Sequence, residues 1–99
     1  MPVSLLLTEK AEEDLDDAYH WYEEQESGLG KEVIRCIDAK IANINRHPLH
    51  HPVVQNDNVR RALVNRFPIS IYFEIEEELI TIFAILHQRR SPDYWKLRI

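Results

Sequence analysis

The residues most able to do chemistry lie near the C-terminal end, where His87-Gln88-Arg89-Arg90 directly follows a long apolar stretch. An imidazole titrates near neutral pH, and a guanidinium group holds phosphate or carboxylate through paired hydrogen bonds. Aromatic residues beside arginines are typical of interfaces, and Tyr94-Trp95 follows closely. The candidates for binding a target or partner are Arg61, Arg66, His87, Arg89, Arg90, Trp95 and Arg98. An alternative stays open, in which these side chains only solubilise strand ends and pair with Asp93 or with helix carboxylates.

Other groups offer weaker signals. His47, His50 and His51 stand among prolines with no cysteine nearby, and their spacing matches no standard zinc site, so we expect a surface loop and no metal. The sequence has no glycine-rich phosphate loop, zinc-protease helix or serine-nucleophile motif, and it indicates no cofactor. The aromatic residues Tyr19, Trp21 and Tyr22 are expected to contact the core rather than stack on a ligand.

Composition predicts one globular domain over residues 1–99, since 44% of the residues are hydrophobic and 29% are charged. No apolar run is long enough to span a membrane, and the N-terminus has no signal-peptide pattern. The single cysteine, Cys36, fits a reducing cytoplasm and is expected to pack rather than react. Residues 1–49 have a net charge of −6 and residues 50–99 a net charge of +1, within a total of −5, which disfavours general nucleic-acid binding.

Two strands are predicted to carry the C-terminal polar residues. Ile69, Ile71, Phe73 and Ile75 alternate with polar residues, the period of a half-buried strand. Residues 79–86 are apolar on both faces and suit a central strand. The run Glu76-Glu77-Glu78 is a solvated turn that joins them as a hairpin.

The rest of the chain completes an α+β fold. Residues 3–7 predict a strand, and Thr8 caps a helix whose apolar face includes Ala11 and Tyr22, with Asp14 on the polar face. Ser27-Gly28 ends that helix, and a second helix runs from about residue 29 to Pro48. Residues 47–58 are predicted as a loop, residues 59–64 as a strand, with Arg60 and Arg61 on opposite faces, and residues 93–99 as a tail or single helical turn. The order is β-α-α-β-β-β, with a helical hairpin packed on a small, mainly antiparallel sheet.

Three stretches resemble the ParE branch of the ParE/RelE superfamily, the toxins of bacterial type II toxin–antitoxin modules, also known as plasmid stabilisation proteins. The first is Ala11, Leu15 and Ala18 followed by Trp21-Tyr22, and the second is Phe67-Pro68 with Tyr72-Phe73. The third stretch is the most specific and comprises Ile82, Ala84, His87, Arg90, Pro92, Trp95 and Arg98. The resemblance covers nearly the whole chain and implies the same fold.

The resemblance also implies a partner. Such toxins are neutralised by a small antitoxin whose C-terminal arm wraps the toxin, as a disordered segment that folds on binding. The flank of the helical hairpin and the free sheet edges are the expected docking surfaces. Contact with DNA is then expected only through the antitoxin.

Two activities follow from the resemblance. ParE-like members resemble inhibitors of DNA gyrase, a protein–protein task that needs no catalytic group. RelE-like members cut messenger RNA on the ribosome, and in that case the catalytic candidates are Arg60, Arg61, His87, Arg89 and Tyr94. In RelE-like members an arginine lies where this chain has Ile69, and a tyrosine where it has Trp95, whose indole cannot act as a general acid or base. We therefore favour gyrase inhibition, with RNA cleavage and a degenerate toxin that only binds antitoxin as the alternatives.

Overall fold

The fold is a five-stranded sheet with two antiparallel helices packed across one face. It is seen in a computed structural model that describes residues 4–89 and 94–99. The strands and helices are β1 (Ser4–Leu7), α1 (Glu9–Gln25), α2 (Leu29–Arg46), β2 (Val53–Gln55), β3 (Val59–Leu63), β4 (Ile69–Glu76) and β5 (Leu79–His87). Two 3₁₀ helices, Pro48–His50 and Tyr94–Arg98, complete the described residues.

The sheet has the strand order β1-β5-β4-β3-β2. The pair β1–β5 is parallel, and the other three neighbouring pairs are antiparallel. The predicted α+β class, the helical hairpin and the mainly antiparallel sheet are therefore confirmed. The tail prediction is also confirmed as a single 3₁₀ turn, while Val3 and the segment 90–93 lie outside the described residues.

The prediction of a plain loop over residues 47–58 is wrong in part. A 3₁₀ turn follows α2, and β2 then pairs with β3 through Val53 and Gln55. Asn56 and Asp57 adopt left-handed φ values of 55° and 66°, the backbone that tight hairpin turns use and that Asn and Asp tolerate. The Asn/Asp cluster therefore marks a hairpin turn rather than a continuous loop.

Local capping sets the ends of the helical hairpin. Thr8 Oγ1 accepts the N–H of Ala11 at 3.1 Å and so caps α1, as predicted. The carboxylate of Glu23 accepts the N–H groups of Gly28 at 3.0 Å and Gly30 at 3.0 Å, which covers the unsatisfied donors at the start of α2. These bonds lower the pKa of Glu23. Gly28 has a φ of +92°, which suits glycine at the reversal between the helices.

Two apolar clusters lie on opposite faces of the sheet. The larger one fills the space between helices and sheet and includes Val33, Ile37, Ile71 and Phe73. The smaller one lies under the C-terminal 3₁₀ helix; its buried members are Val59, Tyr72, Phe83, Ala84, Leu86 and Trp95. The predicted burial of β5 on both faces is thus confirmed. Among the described residues, no helix has the length and apolar character that crossing a membrane requires.

Candidate functional site: a groove beside the end of β5

A groove of about 510 Å³ runs between α1 and the C-terminal end of β5. We call it the β5 groove. Its lining combines aromatic, aliphatic, acidic and basic side chains: Asp14, Asp17, Ala18, Trp21, Tyr22, Ile85, Leu86, His87 and Arg89. This mixture suits a ligand with both apolar and polar groups, such as a segment of polypeptide.

The groove exists because the parallel strand is short. β1 ends at Leu7, which pairs with Ile82, so among the described strands none lies beside the remainder of β5 on that side. Thr8 extends the pairing between β1 and β5 by one hydrogen bond, from its N–H to the carbonyl of Ile82 at 2.9 Å. Beyond this point α1 crosses the open edge, and the small side chain of Ala18 leaves space beneath it.

Asp14 takes over the hydrogen bonding that a longer β1 would supply. Its Oδ2 accepts the N–H of Ile85 at 3.0 Å, and its Oδ1 accepts Nη2 of Arg98 at 3.1 Å. Nη1 of Arg98 also donates to the carbonyl of Phe83 at 3.2 Å, so side chains satisfy two backbone groups of β5 that have no partner on a described neighbouring strand. The hydrogen bond to Asp14 raises the pKa of Arg98. The prediction that Asp14 points to solvent is wrong: its side chain is 9% exposed because it serves the open strand edge.

A β-bulge marks the same part of the sheet. Tyr72 pairs with Ala84 while the next residue, Phe73, pairs with Ile82, which leaves Phe83 as the extra residue. Phe83 and Ala84 consequently both belong to the cluster on the face away from the helices. A bulge bends its strand, and this one lies two residues before Ile85, the first residue of β5 that lines the groove.

Trp21 forms the exposed aromatic rim. The side chain is 52% exposed, its ring packs edge-on against Tyr22 at 4.9 Å, and it lies 6.3 Å from the ring of His87. Tyr22 is buried and contacts Phe67 at 5.0 Å, so it belongs to the core as predicted. Burial raises the pKa of the Tyr22 hydroxyl, and the charge of Arg89 opposes the shift. Trp21 thus offers a large apolar surface beside an imidazole and a guanidinium group.

His87 closes the end of the strand. Its Nδ1 accepts the backbone N–H of Arg89 at 3.1 Å. The neutral ring therefore carries its proton on Nε2, which makes Nε2 a donor. The hydrogen bond also turns the chain after β5 and places Arg89 at the groove.

Comparison with known proteins decides the family. The sequence profile described as "ParE toxin of type II toxin-antitoxin system, parDE" matches residues 5–92. The chain belongs to the ParE toxin family. It is accordingly a toxin of the type II toxin–antitoxin class. A search of curated protein sequences gives no match.

Two solved structures share the fold of this ParE-family chain. The chromosomal ParDE toxin–antitoxin system from P. aeruginosa aligns with a TM-score of 0.77 at 22% identity, over 87% of this chain and 96% of that one. The RelBE2 toxin–antitoxin complex from Mycobacterium tuberculosis aligns with a TM-score of 0.63 at 14% identity, over 88% and 99%. At these identities the likeness shows the fold alone. It confirms the α+β architecture that the resemblance implied.

Arg60 and Arg61 do not line the β5 groove. Arg60 lies on the helix side of β3 and donates Nη1 to the carbonyl of His51 at 2.6 Å, while its buried Nε has no hydrogen-bond partner. Arg61 is exposed on the other face, opposite Tyr72. The expected placement of these two arginines on opposite faces agrees with the register.

Two arginines are paired with helix carboxylates, as the alternative interpretation expected. Arg98 binds Asp14 at the floor of the β5 groove, and Arg66 donates to Glu32 at 3.1 Å. Arg66 lowers the pKa of Glu32, with Arg35 as the next cause. Whether either arginine also contacts a target stays a prediction.

The aromatic pair after β5 lies on the far face of the sheet. Trp95 is 6% exposed and stacks on Tyr72 with ring centroids 4.9 Å apart. The guanidinium carbon of Arg98 lies over the ring of Tyr94, 5.3 Å from the centroid of that ring. Arg90 lies outside the described residues. The described part of the chain also contains no group of three His, Cys, Asp or Glu side chains that could hold a metal ion.

Sequence reasoning missed the helix side of the groove. The residues Asp14, Asp17, Ala18 and Trp21 have spacings of three, one and three, which places them on one face of α1. That spacing was readable, and it separates Trp21 from the core stripe that contains Tyr22. The sequence predicts that the first strand ends at residue 7, but it does not reveal that Leu7 pairs with Ile82, so it could not show that this face borders an open strand edge.

Proposed function

We propose that this ParE-family toxin inhibits DNA gyrase by binding it, and that a cognate antitoxin neutralises it by occupying the β5 groove. The single observation that supports binding is the groove itself, where the half-exposed Trp21 stands beside His87 and Arg89. Exposed aromatic and arginine side chains are the residues that most often dominate protein interfaces. The toxin would act in the bacterial cytoplasm without a cofactor and would approach DNA only through its partners.

The same groove fits an antitoxin arm. Its aromatic and aliphatic walls accept apolar anchors, while His87 and Arg89 favour carboxylates at the strand end. The structural neighbours from P. aeruginosa and M. tuberculosis are toxin–antitoxin systems, which supports a partner of this kind. An arm that covers Trp21 would exclude gyrase from the same surface, and neutralisation would follow from competition.

The positions of the catalytic candidates support binding over RNA cleavage. Arg61 pairs with Tyr72, which pairs with Ala84, and His87 lies three residues further along β5. Three residues of strand span about 10 Å. Arg60 lies on the helix face with His87, but it pairs with Phe73, whose partner Ile82 is five residues before His87, or about 17 Å along β5. Arg61 lies on the opposite face, so the three side chains do not converge within hydrogen-bond reach of one phosphate. Trp95, at the position of the RelE-like tyrosine, is buried and has no ionisable hydroxyl.

Expression in a bacterium tests this function. The unvaried chain should cause filamentation, which is the phenotype of blocked chromosome segregation, with messenger RNA intact. Transcript cleavage with translation arrest would contradict gyrase inhibition and favour the ribonuclease, and normal growth would indicate a degenerate toxin.

Variants of the groove should separate binding from other effects. Trp21→Ala with Arg89→Ala should relieve filamentation and weaken antitoxin binding by about 30-fold or more, because truncated interface anchors cost about 2 kcal/mol or more. The matched control is Leu49→Ala with Arg35→Ala, since Leu49 is 69% exposed and the Arg35 side chain is 71% exposed, both away from the groove. Equal toxicity and equal antitoxin affinity in the two double variants would contradict a role for the β5 groove.

A further inference from the structure

We propose that a second groove, formed by α2 and the turn between β3 and β4, binds an acidic peptide segment. It has a volume of about 390 Å³ and is lined by Cys36, Ala39, Lys40, Asn43, Arg46, Asn65 and Arg66. We call it the α2 groove. Three of its seven lining residues are cationic and none is acidic, in a chain whose total charge is −5.

The helix side of the α2 groove is one continuous face. Cys36, Lys40, Asn43 and Arg46 recur at steps of four, three and three residues, so their side chains project in one direction. Lys40 and Arg46 are six residues apart, which corresponds to about 9 Å along the helix axis. An extended segment with two or three carboxylates matches this span.

The positive charges at Lys40 and Arg46 are not neutralised within the described part of the chain. Its ion pairs involve Lys10, His20, Arg35, Arg66 and Arg98, and none includes Lys40 or Arg46. The influence of Lys40 reaches His51, whose pKa is lowered first by burial and then by the charges of Lys40, His50 and Arg60. The groove therefore presents a positive field that an anionic ligand would relieve.

Arg66 is held at the opposite wall in an unusual backbone conformation. It has a φ of +74°, which is uncommon for a residue with a side chain and is found where the surroundings fix it. Its Nη1 donates to Glu32 at 3.1 Å and lies 4.0 Å from Sγ of Cys36, while its guanidinium carbon is 5.5 Å from the ring centroid of Phe67. Within the described part of the chain, both hydrogen bonds of the Arg66 side chain use Nη1. The other guanidinium donors remain for a carboxylate of the ligand.

A peptide fits the α2 groove better than nucleic acid does. The cationic patch is short, and the net charge of −6 on residues 1–49 repels a long polyanion that extends beyond it. The amide of Asn65 can donate to and accept from a peptide backbone, and the amide nitrogen of Asn43 can donate to it while Asn43 Oδ1 faces Nε2 of His51 at 2.9 Å. A few carboxylates on a polypeptide would gain the local attraction without the repulsion along its length.

Fluorescence anisotropy of the full chain with fluorescein-labelled hexaglutamate tests this inference, with labelled decathymidine as the nucleic-acid probe. Lys40→Ala with Arg46→Ala should weaken hexaglutamate binding by about ten-fold, because each exposed ion pair contributes modestly. The matched control, Lys10→Ala with Lys31→Ala, removes the same charge outside the groove and should change affinity less than two-fold. Thermal melting of both double variants verifies that they fold.

Alkylation of Cys36 gives an independent local measurement, because it is the sole cysteine and lines the α2 groove. Saturating hexaglutamate should slow its reaction with iodoacetamide several-fold. Equal weakening in the two double variants, an unchanged alkylation rate at saturation, or the absence of hexaglutamate binding would each overturn the inference. Tighter binding of decathymidine, lost in the Lys40→Ala, Arg46→Ala variant, would assign the groove to nucleic acid instead.

Discussion

At the scale of single residues, Asp14 links three parts of the fold that are far apart in sequence. Its carboxylate receives the N–H of Ile85 on β5 and the guanidinium of Arg98 in the C-terminal 3₁₀ helix, while its own backbone belongs to α1. A buried charge is tolerated only when it is paired and hydrogen-bonded, and both conditions hold here. Together with the bond from Arg98 to the carbonyl of Phe83 and the stacking of Trp95 on Tyr72, the Asp14 carboxylate holds the C-terminal helix against the sheet and α1.

Replacement of Asp14 by Asn should therefore destabilise the chain strongly. The amide can still accept from Ile85, but the Arg98 charge loses its partner, and breaking a buried pair costs about 3 kcal/mol. Urea denaturation measures the loss, with Asp17→Asn as the control because Asp17 is exposed on the same helix. The control should change the free energy of unfolding by less than about 0.5 kcal/mol. Similar losses in the two variants would contradict a structural role for the pair.

The residue scale is also where sequence reasoning is weakest. The period of α1 correctly separates Ala11 and Tyr22 from the polar face, but it assigns Asp14 to solvent by residue type alone. Its burial depends on the register of β1 against β5, on the bulge at Phe83 and on the return of the C-terminus. These are long-range features, and no local pattern encodes them.

At the scale of elements, the helical hairpin depends on a close approach between its two helices. A Cβ atom added at Gly30 would lie 2.8 Å from ring carbons of Tyr19 and 2.9 Å from a carboxylate oxygen of Glu23. The same oxygen receives the N–H of Gly30, so it cannot move without loss of the cap. Gly30 lies within α2 and has no positive φ, so the glycine is required by this packing and not by a special backbone conformation.

Gly30→Ala should lower stability by about 1 kcal/mol, because the overpacking cost exceeds the gain in helix propensity. Thermal or urea unfolding followed by circular dichroism measures the change. Tyr19→Ala in the same chain removes the obstructing ring, so the effect of Gly30→Ala should shrink or reverse in that background. A stabilising effect of Gly30→Ala alone would refute the close contact.

The connection between α2 and β3 should make stability depend on pH. Nε2 of His51 lies 2.9 Å from Oδ1 of Asn43, its ring packs edge-on against Phe73, and its pKa is lowered by burial and by Lys40, His50 and Arg60. The unfolded chain therefore takes up the proton more readily, so stability falls as the pH drops below about 6.5. The contributions of Glu23 and Glu32, whose pKa values are lowered from 4.5, are lost only at more acid pH.

Urea denaturation between about pH 7 and pH 5 isolates the histidine effect. His51→Gln should flatten the loss of stability over this interval, because the glutamine cannot take up a proton. His20→Gln is the control, since the side chain of His20 is 65% exposed on α1. If the free energy of unfolding depends on pH equally in His51→Gln and in the unvaried chain, the lowered pKa of His51 is not the cause of the loss of stability at acid pH.

The helices and strands with strong periodicity could be predicted from sequence, and the short strand β2 could not. β4 and β5 follow from alternation and from a β-branched run, and α1 and α2 from apolar stripes and caps. β2 has three residues and pairs only at a sheet edge, so it carries too little apolar pattern to stand out from a loop rich in Pro, Asn and Asp. The positive φ values of Asn56 and Asp57 are the physical reason that the chain turns back here as a hairpin and does not continue as a loop.

At the scale of the whole molecule, two grooves of different character border the helical hairpin. The β5 groove joins apolar walls to His87 and Arg89, and the α2 groove is cationic and polar. The groups that RNA cleavage would need are spread over both faces of the sheet, with Arg60 and Arg61 on opposite sides. This distribution supports a toxin that acts by binding other proteins.

Inhibition of purified DNA gyrase tests that central claim most directly. In a supercoiling assay, a stoichiometric amount of the folded chain should block the reaction, and the double variant Trp21→Ala, Arg89→Ala should block it at least about ten-fold less effectively. The control variant Leu49→Ala, Arg35→Ala should match the unvaried chain. Normal supercoiling in the presence of stoichiometric, folded, unvaried chain would contradict gyrase binding.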